Sequence, residues 1–329
     1  MRLTHSSPRI YSKFPHLFVI LLFCSCANQS EEKPLKENAE GTKVELVVLG
    51  IAQDAGYPQT SCLKECCDHY HKNEISEKYP CSLALIDREV NKIWIFEASP
   101  SYREQWKMAQ DISGFNLKTI PDGIFLSHAH IGHYTGLMQL GHEVMGAKGV
   151  KVFAMPRMSK FLNSNGPWDQ LIDFGNINIE QIQEEKPIIL SQNCKVQAFT
   201  VPHRDEYSET VGFKIFGPTK TVLFIPDIDK WSKWEKDIIE EIKSVDFAFI
   251  DGTFFNQKEL PGRDMSLVPH PFIQKSIQQF SALPISERSK IHFIHFNHSN
   301  PMIWDSNSRN KVLKKGFKLA EQKQVLALD

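Results

Sequence analysis

The sequence predicts a mixed α/β fold of the α+β kind: two mixed sheets packed face to face with helices outside, a four-layer αββα sandwich. Two observations carry this. Apolar strand candidates come in two series, one in each half of the chain, and each series is interleaved with helical segments. Packing the two series against each other would bury all of those strands. Composition agrees: 41% hydrophobic, 23% charged and 11% aromatic residues is ordinary for a globular protein.

The first 26 residues stand outside this fold. Arg2, Arg9 and Lys13 precede "FPHLFVILLFCSC", a short apolar run ending in small residues. That is the layout of a secretory signal, and the run is too short to span a bilayer comfortably. Cys26 follows Ser25 and leads into polar "ANQSEEKPLKENAEG". The pattern resembles a lipoprotein signal that leaves an acylated Cys26, although Phe23 and Cys24 fit it imperfectly. The alternative is cleavage without lipidation. The expectation is an exported protein, periplasmic or anchored to a membrane through lipid at Cys26. Residues 27–42 read as a flexible linker and residues 43–329 as the folded domain.

Within the domain, "KVELVVLGI" reads as a buried strand that runs into the turn-rich loop "AQDAGYPQTSC". "CSLALID" and "KIWIFEA", joined by polar "REVN", read as a hairpin. "SYREQWKMAQDI" has helical spacing, with Ser99 and Pro100 at its start. "GIFLSH" is a strand, "HYTGLMQLGHEV" a short helix, "VKVFAM" a strand, and "PRMSKFLNSN" a helix opened by Pro156. In the second half, "CKVQAFTVPH", "VGFKIFG" and "TVLFIPD" are successive strands. "KWSKWEKDIIEEIKSV" reads as one amphipathic helix. "DFAFID" is a strand, "HPFIQKSIQQF" a helix and "KIHFIHF" a strand.

The formal net charge is -1, so there is no basic excess to hold a nucleic-acid backbone. The chemistry is concentrated in "FLSHAHIGHYTGL", where His128, His130 and His133 fall together in a chain of only 13 histidines. Imidazole is the commonest protein ligand for zinc and a good one for iron. In an extended segment His128 and His130 point the same way and can grip one ion. His133 lies just past them, where the helix begins.

"HAHIGH" resembles the His-x-His-x-Asp-His signature of the metallo-β-lactamase-fold superfamily. Further ligands of that superfamily follow later strands, and this chain has them in order: His203 ends "FTVPH", Asp227 ends "LFIPD", and His295 sits in "IHFIHF". "ASPSYREQW", "VPHRDEYSETVGF", "PDIDKW" and "HFNHSNP" narrow the resemblance. They are similar to the branch containing coenzyme PQQ synthesis protein B and the phosphonate-pathway phosphodiesterases. The resemblance implies one metal held by His128, His130 and His203, and a second by His133, Asp227 and His295, with Asp227 bridging. Gly132 departs from it, because the signature has Asp there. The second site should then be weaker, open to another metal, or completed by a different carboxylate; Asp205 and Asp54 are the candidates, the alternative being that both cap turns. Asp251, in "DGTFF", is a candidate to orient a ligand histidine. Asp227, Asp205 and Asp251 are thus the candidate catalytic carboxylates.

Seven cysteines are present, and Cys24 and Cys26 belong to the signal. Cys62, Cys66 and Cys67 are close enough for a structural zinc. The resemblance implies His298 as fourth ligand, while His69 or His71 could serve instead; a disulfide is the alternative. His292 reads as packed, His142 as solvated, and His270 as either facing the site or starting a helix. Trp231 and Trp234 read as core, and Cys81 and Cys194 as buried thiols.

The expected function is a metal-dependent hydrolase that uses a metal-bound hydroxide on an ester, lactone or phosphodiester, with zinc as cofactor and iron or manganese as alternatives. A small molecule would be its substrate. The alternatives are an iron-dependent oxygenase or oxidase, implied by the PQQ-protein resemblance, and a non-catalytic metal-binding lipoprotein.

Overall fold

The computed structural model describes Gly41, residues 43–116 and residues 118–329. The expected signal, with Cys24 and Cys26, and nearly all of the linker lie outside the described residues. Among those described, no helix is long and apolar enough to cross a membrane.

Six strands open the domain: β1 (Val44–Gly50), β2 (Ser82–Asp87), β3 (Lys92–Phe96), β4 (Gly123–Phe125), β5 (Val150–Ala154) and β6 (Ile177–Gln181). Seven follow: β7 (Ile188–Ile189), β8 (Lys195–Thr200), β9 (Val211–Phe216), β10 (Thr221–Ile225), β11 (Phe247–Asp251), β12 (Ile291–Ile294) and β13 (Lys318–Leu319). Finally β14 (Val325–Ala327) returns to the first sheet. The two sheets run β14-β1-β2-β3-β4-β5-β6 and β13-β12-β11-β10-β9-β8-β7. Both combine antiparallel pairs with parallel ones, so both are mixed.

Strand alternation sets the layers. On β1 and β3, Leu46, Val48, Trp94 and Phe96 face the second sheet, within one core that includes Phe213, Phe224 and Phe249. Phe96 stacks on Phe125 at 4.9 Å and meets Phe213 edge-on at 5.5 Å, an arrangement aromatic quadrupoles favour. Val47, Leu49, Ile93 and Ile95 point the other way, onto Tyr102, Trp106 and Ala109 of the helix Tyr102–Ser113. Every residue of Val222–Ile225 is buried, as expected of a strand covered on both faces. The predicted four-layer sandwich is the observed architecture.

Three elements differ from expectation. The single helix over 230–245 is instead a 3-10 turn, Trp231–Lys233, and a short helix, Ile238–Lys243. Each tryptophan needs its own partner: Trp231 Nε1 donates to Ser276 Oγ and Trp234 Nε1 to Thr200 O, both at 2.9 Å. Trp234 is extended between them, and Asp237 then caps the helix by accepting from Ile239 N–H. "GIFLSH" forms a strand only over Gly123–Phe125. Last, "HYTGLMQLGHEV" splits into the helix Ile131–Tyr134 and a 3-10 segment, Thr135–Leu140. This leaves His142 exposed past the helix, beside Asn176 and Phe174.

Strand direction explains how distant residues meet. β1, β3 and β4 point the same way in one sheet, and β8, β10, β11 and β12 do so in the other. Asp54, Glu97 and His128 follow the first three, and His203, Asp227, Asp251 and His295 end or follow the other four.

Candidate metal centre

His130 is extended (φ -93°, ψ 147°) and immediately precedes the helix that carries His133. His128 Nε2 lies 2.8 Å from His130 Nδ1, and the His128 and His133 ring centres are 4.2 Å apart. Donor atoms of His128, His130, His203 and Asp227 all lie within 4.8 Å of one another, and so do those of Asp54, His133, Asp227 and His295. Asp227 is common to both groups. Its Oδ1 is 3.4 Å from His203 Nε2, while Oδ2 is 3.4 Å from His128 Nε2 and 3.5 Å from His133 Nε2.

A second layer holds these rings. Thr253 Oγ1 donates to Asp251 Oδ1 at 2.7 Å and lies 2.8 Å from His295 Nδ1. The hydroxyl has one proton, so while it donates to Asp251 it can only accept from His295 Nδ1–H, and Nε2 then turns its lone pair to the site. Fully buried Glu97 stands 3.3 Å from His133 Nδ1. Glu97 and His295 both have left-handed φ, 73° and 67°, a strained conformation for residues with side chains and one that clusters at functional sites. His270 Nδ1 sits between Asp251 Oδ2, at 2.9 Å, and Asp227 Oδ1, at 3.1 Å.

Burial and charge divide the histidines. Burial holds His128 well below the usual imidazole range, and it lowers His130 and His203 as well. For His133 burial acts in the same direction, but the carboxylates of Glu97, Asp227 and Asp54 outweigh it and raise the ring well above that range. His270 is likewise opposed by burial, yet Asp251 and Asp227 push it up to about 10. Burial would raise Asp227, but His203, His295 and His270 hold it well below the carboxylate range.

Buried polar atoms normally find a partner. At this site Asp54 Oδ1, Asp227 Oδ1, His130 Nε2, His133 Nε2, His203 Nδ1 and His295 Nε2 have no hydrogen bond. Converging lone pairs of imidazoles and carboxylates fit a cation, with zinc, iron and manganese all compatible with such donors.

The structure therefore brings together the six residues read from the sequence as ligands. Of the two carboxylates weighed against Gly132, it brings in Asp54. The candidacy of Asp205 is corrected: its side chain is 65% exposed and binds Arg157 Nη1 at 3.1 Å, because the chain has already left the cleft two residues past His203. Asp251 stands behind the rings, touching Thr253 and His270. His270 faces the carboxylates instead of capping a helix, which begins at Ile273. Glu97 was missed; its signal is an acid closing the apolar strand "KIWIF".

A separate group joins Cys62, Cys66, Cys67 and His298, again with donors within 4.8 Å. All three thiols are free and buried, with Cys62 Sγ and Cys66 Sγ 3.8 Å apart. His69 is engaged by Glu74 at 2.7 Å and stacks on Trp304, and His71 lies against the Cys62 carbonyl. His298 Nδ1 has no hydrogen bond. Burial and the charge of Cys67 push Cys66 up to about 12. Sulfurs this close ionise together only around a cation, and three thiolates with one imidazole suit a closed zinc site.

Elsewhere, His292 is buried on Phe249 at 4.8 Å, and Trp231, Trp234, Cys81 and Cys194 are buried, as read from the sequence.

Known proteins share the sequence and the fold of this domain. The sequence profile of the beta-lactamase superfamily domain matches residues 94–296. Coenzyme PQQ synthesis protein B of Gluconobacter oxydans is 25% identical over 319 residues, 87% of this chain and 99% of that protein. The protein of the same name from Rhizobium meliloti is 23% identical, over 83% of this chain and 94% of its own. Among solved structures, Zn(2+)-bound PqqB from Methylobacterium extorquens superimposes with a TM-score of 0.72, at 20% identity, covering 86% of this chain and 99% of that one. A diphosphatase from the PhnP family gives 0.63 at 17% identity, covering 86% and 96%.

Proposed function

The chain belongs to the beta-lactamase superfamily and has its metallo-β-lactamase fold, and on that premise we propose that it is a metal-dependent hydrolase of small ester or phosphodiester-type substrates. The observation that carries this reading is Asp227, a buried carboxylate shared by two four-donor groups. His128, His130 and His203 would hold one cation, His133 and His295 the other, and Asp227 would bridge them. Two cations bound there would supply Lewis-acid chemistry, polarising a scissile oxygen and making a water acidic enough to ionise near neutrality.

The chain's own residues do the rest. Thr253 holds the ring of His295 from behind, and Glu97 faces that of His133 at 3.3 Å, so that their Nε2 atoms face the cleft. Asp251 accepts from Thr253 and from Ile228 N–H, which anchors the segment carrying Asp227. His270 holds a proton at Nδ1 between Asp227 and Asp251. Burial of this set keeps bulk water from weakening these contacts. Cys62, Cys66, Cys67 and His298 would hold a structural zinc. Export, with an acylated Cys26, belongs to the same reading and rests on the leader pattern; detergent-phase partitioning lost in Cys26→Ser tests it.

The test of function is metal content by elemental mass spectrometry together with hydrolysis of bis(p-nitrophenyl) phosphate. Zinc or manganese beyond one equivalent, with turnover that disappears in Asp227→Asn, is expected. Iron with oxygen uptake and no ester hydrolysis would replace this reading with the oxygenase alternative, which similarity to PQQ synthesis protein B over 87% of the chain keeps in view.

A further inference from the structure

We propose that Asp54 supplies the carboxylate of the second cation site in place of the one that "HAHIGH" lacks, and that Gly132 is the clearance this requires. The inference rests on a cation being held among His133, Asp227 and His295, and adds where the fourth donor comes from.

Asp54 belongs to the loop after β1, 78 positions before Gly132 in the chain. Its Oδ1 reaches His133 Nε2 at 3.2 Å and His295 Nε2 at 3.6 Å, and it has no hydrogen-bond partner. A Cβ placed on Gly132 would stand 2.4 Å from Asp54 Cα, 2.5 Å from Oδ1 and 2.7 Å from Cβ. Asp54 thus fills the space that a side chain at 132 would need. Backbone conformation is not the reason for glycine, because Gly132 lies in the helix Ile131–Tyr134 and its φ is not left-handed. The reason is steric: a side chain at 132 would meet the Cα of Asp54 as well as its carboxylate, so the loop that delivers Asp54 can lie here only against glycine.

Nor can the loop easily retreat. Gln53 N–H donates to Phe296 O at 2.8 Å, Ala52 pairs with Phe296, and Asn297 Nδ2 donates to Gln53 Oε1. Gly56 N–H closes the turn on Gln53 O at 2.7 Å. The segment bearing Asp54 is therefore tied to the turn bearing His295, and the two donors move together.

The test is a double-mutant cycle on the full-length chain in detergent, with Asp54→Asn, Gly132→Ala and both together. The probe is Mn2+, which the thiolate group disfavours. Uptake is read by calorimetric titration and by ions retained in elemental analysis. Two ions should bind the wild type. Each single variant should weaken the second ion at least about tenfold and leave the first. The double variant should lose no more than the larger single loss, because Gly132→Ala removes no ligand and acts only by displacing Asp54. Wild-type affinity in either single variant, or losses that multiply in the double, would overturn the proposal. If Gly132→Ala does not fold, Asp54→Asn decides alone, since it preserves packing: full second-site affinity there overturns it and selective loss supports it. A wild type that binds both ions but hydrolyses nothing removes the hydrolase reading and leaves this cycle standing. A working hydrolase whose Asp54→Asn variant keeps both ions removes this inference alone.

Discussion

Thr253→Val tests whether the site is held from behind as described. The substitution keeps the shape and deletes one hydroxyl, and with it the 2.7 Å bond to Asp251 Oδ1 and the 2.8 Å contact with His295 Nδ1. Asp251 and His295 are both fully buried, so water cannot replace what is lost. Asp251 keeps Thr253 N–H, Ile228 N–H and His270. His295 Nδ1–H is left with nothing. A lost charge-assisted bond plus an orphaned buried donor costs about 3–5 kcal/mol. For a domain of this size that is a fall in Tm of about 10 °C, to be measured on metal-depleted protein by scanning calorimetry. Freed to rotate, the His295 ring should also bind the second cation about 10–100-fold more weakly. Thr253→Ser, which retains the hydroxyl, should recover both. A valine variant with unchanged Tm and unchanged second-ion affinity would refute the relay from Asp251 through Thr253 to His295.

His130→Ala should empty the first cation site while circular dichroism stays that of the wild type, because His130 closes the cleft from its rim and not from the core; unaltered metal content would remove it from the ligand set. Cys67→Ser should release one equivalent of zinc, seen by elemental analysis, and leave the ions of the histidine cleft in place; loss of all metal, or of none, would count against a separate closed site. His292 gives a pH prediction. Burial lowers it to about 4, below the ordinary value near 6.5, so the unfolded chain takes up its proton first as pH falls. Its contribution to stability is thus complete above about pH 6.5 and is lost progressively towards pH 4. His292→Phe should flatten the urea-unfolding midpoint over that window, and an unchanged slope would show that His292 titrates normally.

Periodicity and strand order were enough to read the sandwich, because a buried strand writes itself as an apolar run and a surface helix as a spaced one. Where the reading failed, a local signal had been overridden by a distant partner. The helix expected over 230–245 breaks because the indoles of Trp231 and Trp234 answer to Ser276 and Thr200. Spacing could not reveal that. The candidate donors were legible in proportion to how tightly they are spaced. His128, His130 and His133 stand out within six positions, whereas Glu97 is one acid at a strand end and His270 one histidine between prolines.

By itself the sequence determined the residue types and their order along the chain, since imidazoles after strands and grouped thiols can be counted without coordinates. Tertiary structure alone separates Asp54, beside His133 and against Gly132, from Asp205 on the surface. Both carboxylates lie in polar loops that follow apolar strands, and nothing local shows which one turns into the cleft. One follows β1, which runs parallel to β3 and β4 and delivers it beside His133; the other leaves the cleft to pair with Arg157. Which atoms converge is fixed by strand direction and sheet packing, a three-dimensional property that sequence spacing does not encode.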